Sequence, residues 1–151
     1  MTDASAASAP AVGELNVTRE LDAPREVVFR AFLDPEQIAC FWGAAGCTTP
    51  ASGVIIDPRP GGNIDILMVF EDGTEHHMLG QYLEIVEPEL ISFKEHGMGL
   101  TSTMTFEDLG GRTLLRVHQT DVPADILGPE TDAGFNSYLD KVEAYFASRP
   151  Q

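Results

Sequence analysis

Residues 129–147 read PETDAGFNSYLDKVEAYFA, and their spacing decides how the rest of the chain must be arranged. Phe135, Tyr138, Leu139, Val142, Tyr145 and Phe146 recur at i, i+3, i+4, i+7, i+10 and i+11, one apolar stripe on a helix of about five turns. A stripe that long needs a sheet to cover it. Upstream, segments near residues 53–57, 62–70, 75–86, 90–95, 100–107 and 112–120 have strand character. They are bounded by Gly61-Gly62, Asp72-Gly73, Glu87-Pro88, Gly97 with Gly99, and Gly110-Gly111. Those are turns of consecutive antiparallel hairpins, so the sheet should be a meander.

Ahead of the meander, ELNVTREL alternates Leu15, Val17, Arg19 and Leu21 against Asn16, Thr18 and Glu20, the period of a half-buried strand. DAPREVVFRAFLDPEQIACFWG follows, with Asp22 and Pro24 as start signals and Val27, Val28, Ala31 and Phe32 at helical spacing. Asp34 before Pro35 repeats that opening and predicts a second short helix running to about Trp42 and stopping at Gly43. AAGCTTPASG reads as loop. The expected fold class is α+β: a curved antiparallel sheet wrapped around a long C-terminal helix, with two short helices between the first two strands.

In DPRPGG, residues 57–62, Pro fixes φ and Gly permits φ > 0, which predicts a sharp reversal launching the next strand. That is a folding instruction and names no chemistry.

A chain of 151 residues suits one domain, expected over 14–148 behind a flexible tail over 1–13. The tail, MTDASAASAPAVG, lacks the basic n-region and long apolar core of a secretory signal. Nine Lys+Arg against twenty-four Asp+Glu give a formal charge of −15, a field that repels phosphate backbones and anionic headgroups and so argues against nucleic acid and membrane surfaces as partners. Acids such as Asp108, Asp121, Asp125 and Asp132 read as a solvated face. No apolar run approaches the roughly 20 residues that span a bilayer, and the expected location is the cytoplasm. There Cys40 and Cys47 should stay reduced, with no neighbouring Cys/His set to complete a zinc site. The sequence leaves open whether the chain is a homodimer.

TRELDAPREVVFRAFLDPEQIACFWG, the DPRPGG turn, Asp72-Gly73, GQYLEIVEPE, TMTFEDLGGRTLL and the aromatic C-terminal helix together resemble the SRPBCC or START-like superfamily, in the order that superfamily shows. Within it, the chain resembles the branch named after the activator of the ninety-kilodalton heat-shock chaperone's ATPase, from Leu15 to Phe146. The resemblance implies a helix-grip fold with a cavity between sheet and helix. It makes Asp57, Arg59, Pro60, Gly61 and Gly62 a structural signature between two strands. Some relatives on this fold are polyketide cyclases or dehydratases. The family's name suggests a chaperone partner, but relatives with that activity carry an additional N-terminal domain with an Asn- and Trp-rich motif that these residues do not contain, and no chaperone complex is expected.

Period-two reading turns Ile64, Ile66, Met68 and Phe70 to one face, with Ser102, Met104 and Phe106, and Thr113, Leu115 and Val117, on the matching faces of later strands. Together with residues of the helices they either enclose an apolar cavity or fill the core. The candidate lining is Trp42, Ile66, Met68, Tyr82, Met104, Phe106, Leu115, Phe135, Tyr138 and Leu139. Met68, Met78, Met98 and Met104 are flexible and tolerant of irregular neighbours, but methionine is also an ordinary gap filler, and it is the resemblance that favours a cavity. The leading function is binding of a small hydrophobic or aromatic molecule, with no cofactor, metal or catalytic residue assigned.

For acid–base catalysis the nominees are His77, Arg59 and Tyr82, none with a visible partner. His76 and His77 should both be exposed, although one of them could face the cavity; as strand neighbours they point to opposite faces and cannot share a metal without a bulge. No G-x-S-x-G elbow or P-loop is present, Ser102 lacks a His–Asp escort, and Cys40 beside Phe41 and Trp42 reads as packing.

Overall fold

The computed structural model describes residues 12–43 and 46–148. The chain runs β1 (Val12–Leu21), α1 (Arg25–Ala31), α2 (Pro35–Ile38), β2 (Cys47–Thr48), β3 (Val54–Ile56), β4 (Asn63–Phe70), β5 (Glu75–Val86), β6 (Leu90–Glu95), β7 (Thr101–Asp108), β8 (Thr113–Pro123) and α3 (Pro129–Ser148). The strands form one sheet in the order β1-β8-β7-β6-β5-β4-β2, with β3 also paired to β4, and every pairing is antiparallel. This is the predicted meander, extended by β1 beside β8. Residues 1–11 of the expected tail lie outside the described residues.

The DPRPGG segment makes the reversal its composition demands. The Arg59 amide donates to the Asp57 carbonyl and the Gly62 amide to the Arg59 carbonyl, each at 2.8 Å. Gly61 sits at φ 83°, in the left-handed region. At Gly62 a Cβ would come within 2.1 Å of the Asp57 carbonyl oxygen, so only glycine lets the two backbone segments approach. Gly61 N–H then donates to the Tyr82 carbonyl at 2.8 Å and Tyr82 N–H to the Gly62 carbonyl at 2.9 Å, fastening the turn to β5.

The short helices differ from expectation in detail. α1 buries Val28, Phe29 and Ala31, with Phe32 just after it, and Val27 is only partly buried. Asp34 caps α2 as predicted, its Oδ1 accepting from the Glu36 amide at 3.0 Å. The helix stops at Ile38 rather than Trp42: the Phe41 and Trp42 amides both turn back to the Ile38 carbonyl, at 3.1 and 2.9 Å, which drives Phe41 into the core. Cys40, read as packing, is exposed, while Cys47 is buried; both are free thiols. Cys47 and Thr48, expected in a loop, form β2 against Phe70 and Val69. Phe70, expected on the concave face, is 41% exposed at the end of β4.

α3 crosses the concave face of the sheet. Its outer edge is tied to β1 by Arg19, whose Nη1 lies 2.8 Å from both Asp140 Oδ1 and Glu143 Oε1. Tyr145 on the same helix donates its hydroxyl to Gln37 Oε1 of α2 at 2.9 Å.

Candidate functional site: a cavity under one half of the C-terminal helix

The stripe on α3 is continuous in sequence, but its two halves meet different surroundings. In the C-terminal half, Leu139, Val142 and Phe146 are at most 1% exposed and pack on aromatic rings. Phe29 and Phe106 stack edge-on with centroids 5.5 Å apart, Phe32 lies 5.0 Å from Phe41, and Phe41 lies 6.0 Å from Phe146. α1, the residue after it and the segment after α2 deliver Phe29, Phe32 and Phe41, so this end is filled.

Beneath the N-terminal half lies a cavity of about 340 Å³. That volume falls in the range of about 300–1,000 Å³ typical of small-molecule sites. Thr131, Gly134, Phe135 and Tyr138 of α3 form its roof, with Trp42 and Gly43 at one side. Its floor comes from Leu15 of β1, Met68 of β4, His76 and Met78 of β5, Phe93 and Glu95 of β6, Ser102 and Met104 of β7, and Val117, Gln119 and Val122 of β8. Met98, Leu100 and Ile126 complete the wall. His76 and Met98 are exposed and mark the side on which the cavity meets solvent.

The side chains explain why this half stays open. All four methionines singled out in the sequence line it, and unbranched thioethers leave irregular space where phenyl rings would interdigitate. Gly134 presents no side chain at all, and a Cβ added there would meet nothing within 4 Å. Tyr138 is braced by edge contacts with Trp42 and Phe135, each at 5.6 Å between centroids, so the roof is held by aromatic neighbours without filling the space below.

Polar groups on the wall are few. Gln119 Nε2 donates to Ser102 Oγ at 3.4 Å, and these two residues face each other across β7 and β8. Thr131 donates its hydroxyl to the Ile126 carbonyl. Burial pushes the Tyr138 phenol well above its ordinary value of 10, which keeps it neutral. Glu95, only 4% exposed, accepts from the Met98 amide through Oε1 at 2.6 Å.

Of the ten lining candidates, Trp42, Met68, Met104, Phe135 and Tyr138 stand on the cavity wall. Ile66, Tyr82, Phe106, Leu115 and Leu139 do not; they are buried in the filled core, where rings from α1 occupy the concave face. The catalytic nominees are not brought together either. His77 Nδ1 pairs with Asp65 at 2.8 Å, Arg59 Nε pairs with Asp57 at 2.8 Å with its side chain 73% exposed, and Tyr82 is buried. None of the three lines the cavity. Among the described residues no group of three or more His, Cys, Asp or Glu is placed to hold a metal ion. Glu95, Phe93 and Gln119 went unnoticed in the sequence, although Ile91, Phe93 and Glu95 alternate along β6 and so share the concave face.

A curved antiparallel sheet gripping one long helix, with a cavity between them, is a helix-grip domain of the ligand-binding kind. The chain belongs to the family described as activator of Hsp90 ATPase homolog 1-like protein, whose model matches residues 22–147. A crystal structure of a Chromobacterium violaceum protein is similar, with 29% identity, TM-score 0.80, and coverage of 91% of this chain and 99% of that one. The solution structure of an AHSA1-like protein from Aeromonas hydrophila matches at 22% identity and TM-score 0.76, covering 89% of this chain and 93% of its own. An AHSA1 protein from Silicibacter pomeroyi matches at 23% identity and TM-score 0.77, over 89% and 98% of the two chains. No curated protein matches the chain in sequence. Among the described residues, no helix is long and apolar enough to cross a membrane.

Proposed function

We propose that this protein binds a small hydrophobic or aromatic molecule in the cavity under the N-terminal half of α3 and does no chemistry on it. The observation that carries the reading is the contrast within one helix: half its apolar stripe is packed to the limit, and the other half roofs about 340 Å³ of methionine- and aromatic-lined space. Interiors close such voids unless they are used, because unfilled volume forfeits dispersion contacts. Against catalysis stands the scatter of His77, Arg59 and Tyr82, which share no wall of the cavity. A cytoplasmic location suits a carrier or sensor of this kind.

Titration with the neutral fluorophore N-phenyl-naphthylamine tests it. The native protein should bind one equivalent saturably, and Gly134→Leu, which places a side chain in the open space beneath the helix, should abolish binding while keeping the native circular dichroism spectrum. Equal binding by both proteins, or none by either, overturns the reading.

A further inference from the structure

Among the described residues the cavity wall carries one carboxylate, with the His76 imidazole at its solvent side, and the sign of that carboxylate selects the ligand. Glu95 ends β6 with its residue 4% exposed and stands on the cavity wall. Its Oε1 caps the turn into β7 by accepting from the Met98 amide. Its Oε2 has no hydrogen bond and no cationic partner among the described residues, and it lies beside Gly97, where even a Cβ would approach to 3.1 Å. Among the described residues only the Tyr82 hydroxyl is both enclosed and unpartnered, so Glu95 Oε2 keeps accessible surface and is free to accept from a donor that enters the cavity. Among the described residues no Lys or Arg stands on the wall to neutralise it, and the chain as a whole carries a formal charge of −15. Both the local and the global field therefore repel an acid and attract a cation.

Resting on the cavity-binding reading above, we infer that the ligand is an amphiphile with an apolar or aromatic body and one protonated amine, seated with its ammonium on Glu95 Oε2. The body lies among the methionines and beneath Phe135 and Tyr138, and Ser102 and Gln119 offer further acceptors near the same end of the strands. The same charge disfavours fatty acids and aromatic acids. A charge-assisted hydrogen bond made inside an apolar cavity is among the stronger single contacts available to a small ligand.

Three probes of one body separate the possibilities: naphthylmethylamine, naphthylmethanol and naphthoic acid, titrated calorimetrically at neutral pH in salt of about 0.3 M to screen the surface field. The amine should bind about tenfold tighter than the alcohol, and the acid weakest. Glu95→Gln keeps an oxygen for the Met98 amide, so the fold persists; it should erase the preference for the amine and leave the alcohol's affinity within about twofold. If the alcohol binds and the amine binds no tighter, or if Glu95→Gln retains the preference, the inference falls while the cavity reading stands. If none of the three binds, the cavity reading itself fails and takes the inference with it.

Discussion

The ammonium of Lys141, on α3, donates to the backbone carbonyl of Trp42 at 3.1 Å and to that of Gly43 at the same distance. It joins the gripped helix to the segment that forms one side of the cavity, at a point where α2 has ended and the backbone carbonyls have no helical partner. Thr49 donates its hydroxyl to the same Trp42 carbonyl at 3.4 Å, so the position of Trp42 is set from two directions. Lys141→Met keeps most of the side chain's apolar stem but loses both bonds. It should lower the unfolding free energy by about 1.5–3 kcal/mol, the usual worth of hydrogen bonds from a charged donor. The urea midpoint should fall with the slope unchanged, and binding of the neutral fluorophore should weaken because Trp42 and Gly43 lose their anchor. Unchanged stability would mean that the latch contributes nothing in solution.

A contrast between the two halves of α3 follows from their packing. Leu139 is 1% exposed in the filled half, so Leu139→Ala should cost about 2–5 kcal/mol, the range for large-to-small changes in close-packed cores. Phe135 borders open volume and makes fewer contacts, so Phe135→Ala should cost less than the roughly 3–5 kcal/mol expected of a core phenylalanine, and should change ligand binding instead. Urea unfolding of the two variants side by side decides it. A larger loss at Phe135 than at Leu139, with binding unchanged, would show that the space beneath the helix is filled.

The fold was legible because its largest signals are local. The stripe on α3, the alternation in the strands and the glycine pairs in the turns each follow from backbone geometry. What escaped were elements held by tertiary contacts: β2 is two residues whose pairing depends on the far end of β4, and α2 is cut short where Phe41 is drawn into the core. The site was only half legible for a related reason. Alternation places Phe106, Leu115, Met104 and Ser102 on the concave face alike, but it cannot say that Phe29 of α1 and Phe32 just after it pack on Phe106, that Leu115 joins the same filled core, and that Met104 and Ser102 border open space. Met68, Met78, Met98 and Met104 were the useful signal, being the residue type that marks irregular packing. Glu95 could have been found by carrying the same alternation through LISFKE, residues 90–95, where an acid falls in register with Ile91 and Phe93.

Tyr82 is 2% exposed, and its hydroxyl has no hydrogen-bond partner among the described residues. A buried donor left unmade costs free energy that removing it should return, so Tyr82→Phe should stabilise the protein by about 1 kcal/mol at neutral pH. Burial, and then the negative charge of Asp57, push the phenol's pKa well above its ordinary value of 10. The native state therefore holds this proton more tightly than the unfolded chain does. The stability linked to it is fully present below about pH 10, where the unfolded phenol titrates, and is lost as pH rises towards the raised native value. Tyr138, also raised by burial, adds a loss of the same sign. The advantage of Tyr82→Phe should accordingly grow on going from about pH 7 to about pH 11, while the variant still loses some stability through Tyr138. Urea midpoints at the two pH values measure both effects. A Tyr82→Phe variant less stable than the native protein at neutral pH would reveal a partner for the hydroxyl, and an advantage that shrinks at alkaline pH would reverse the assigned direction of the shift.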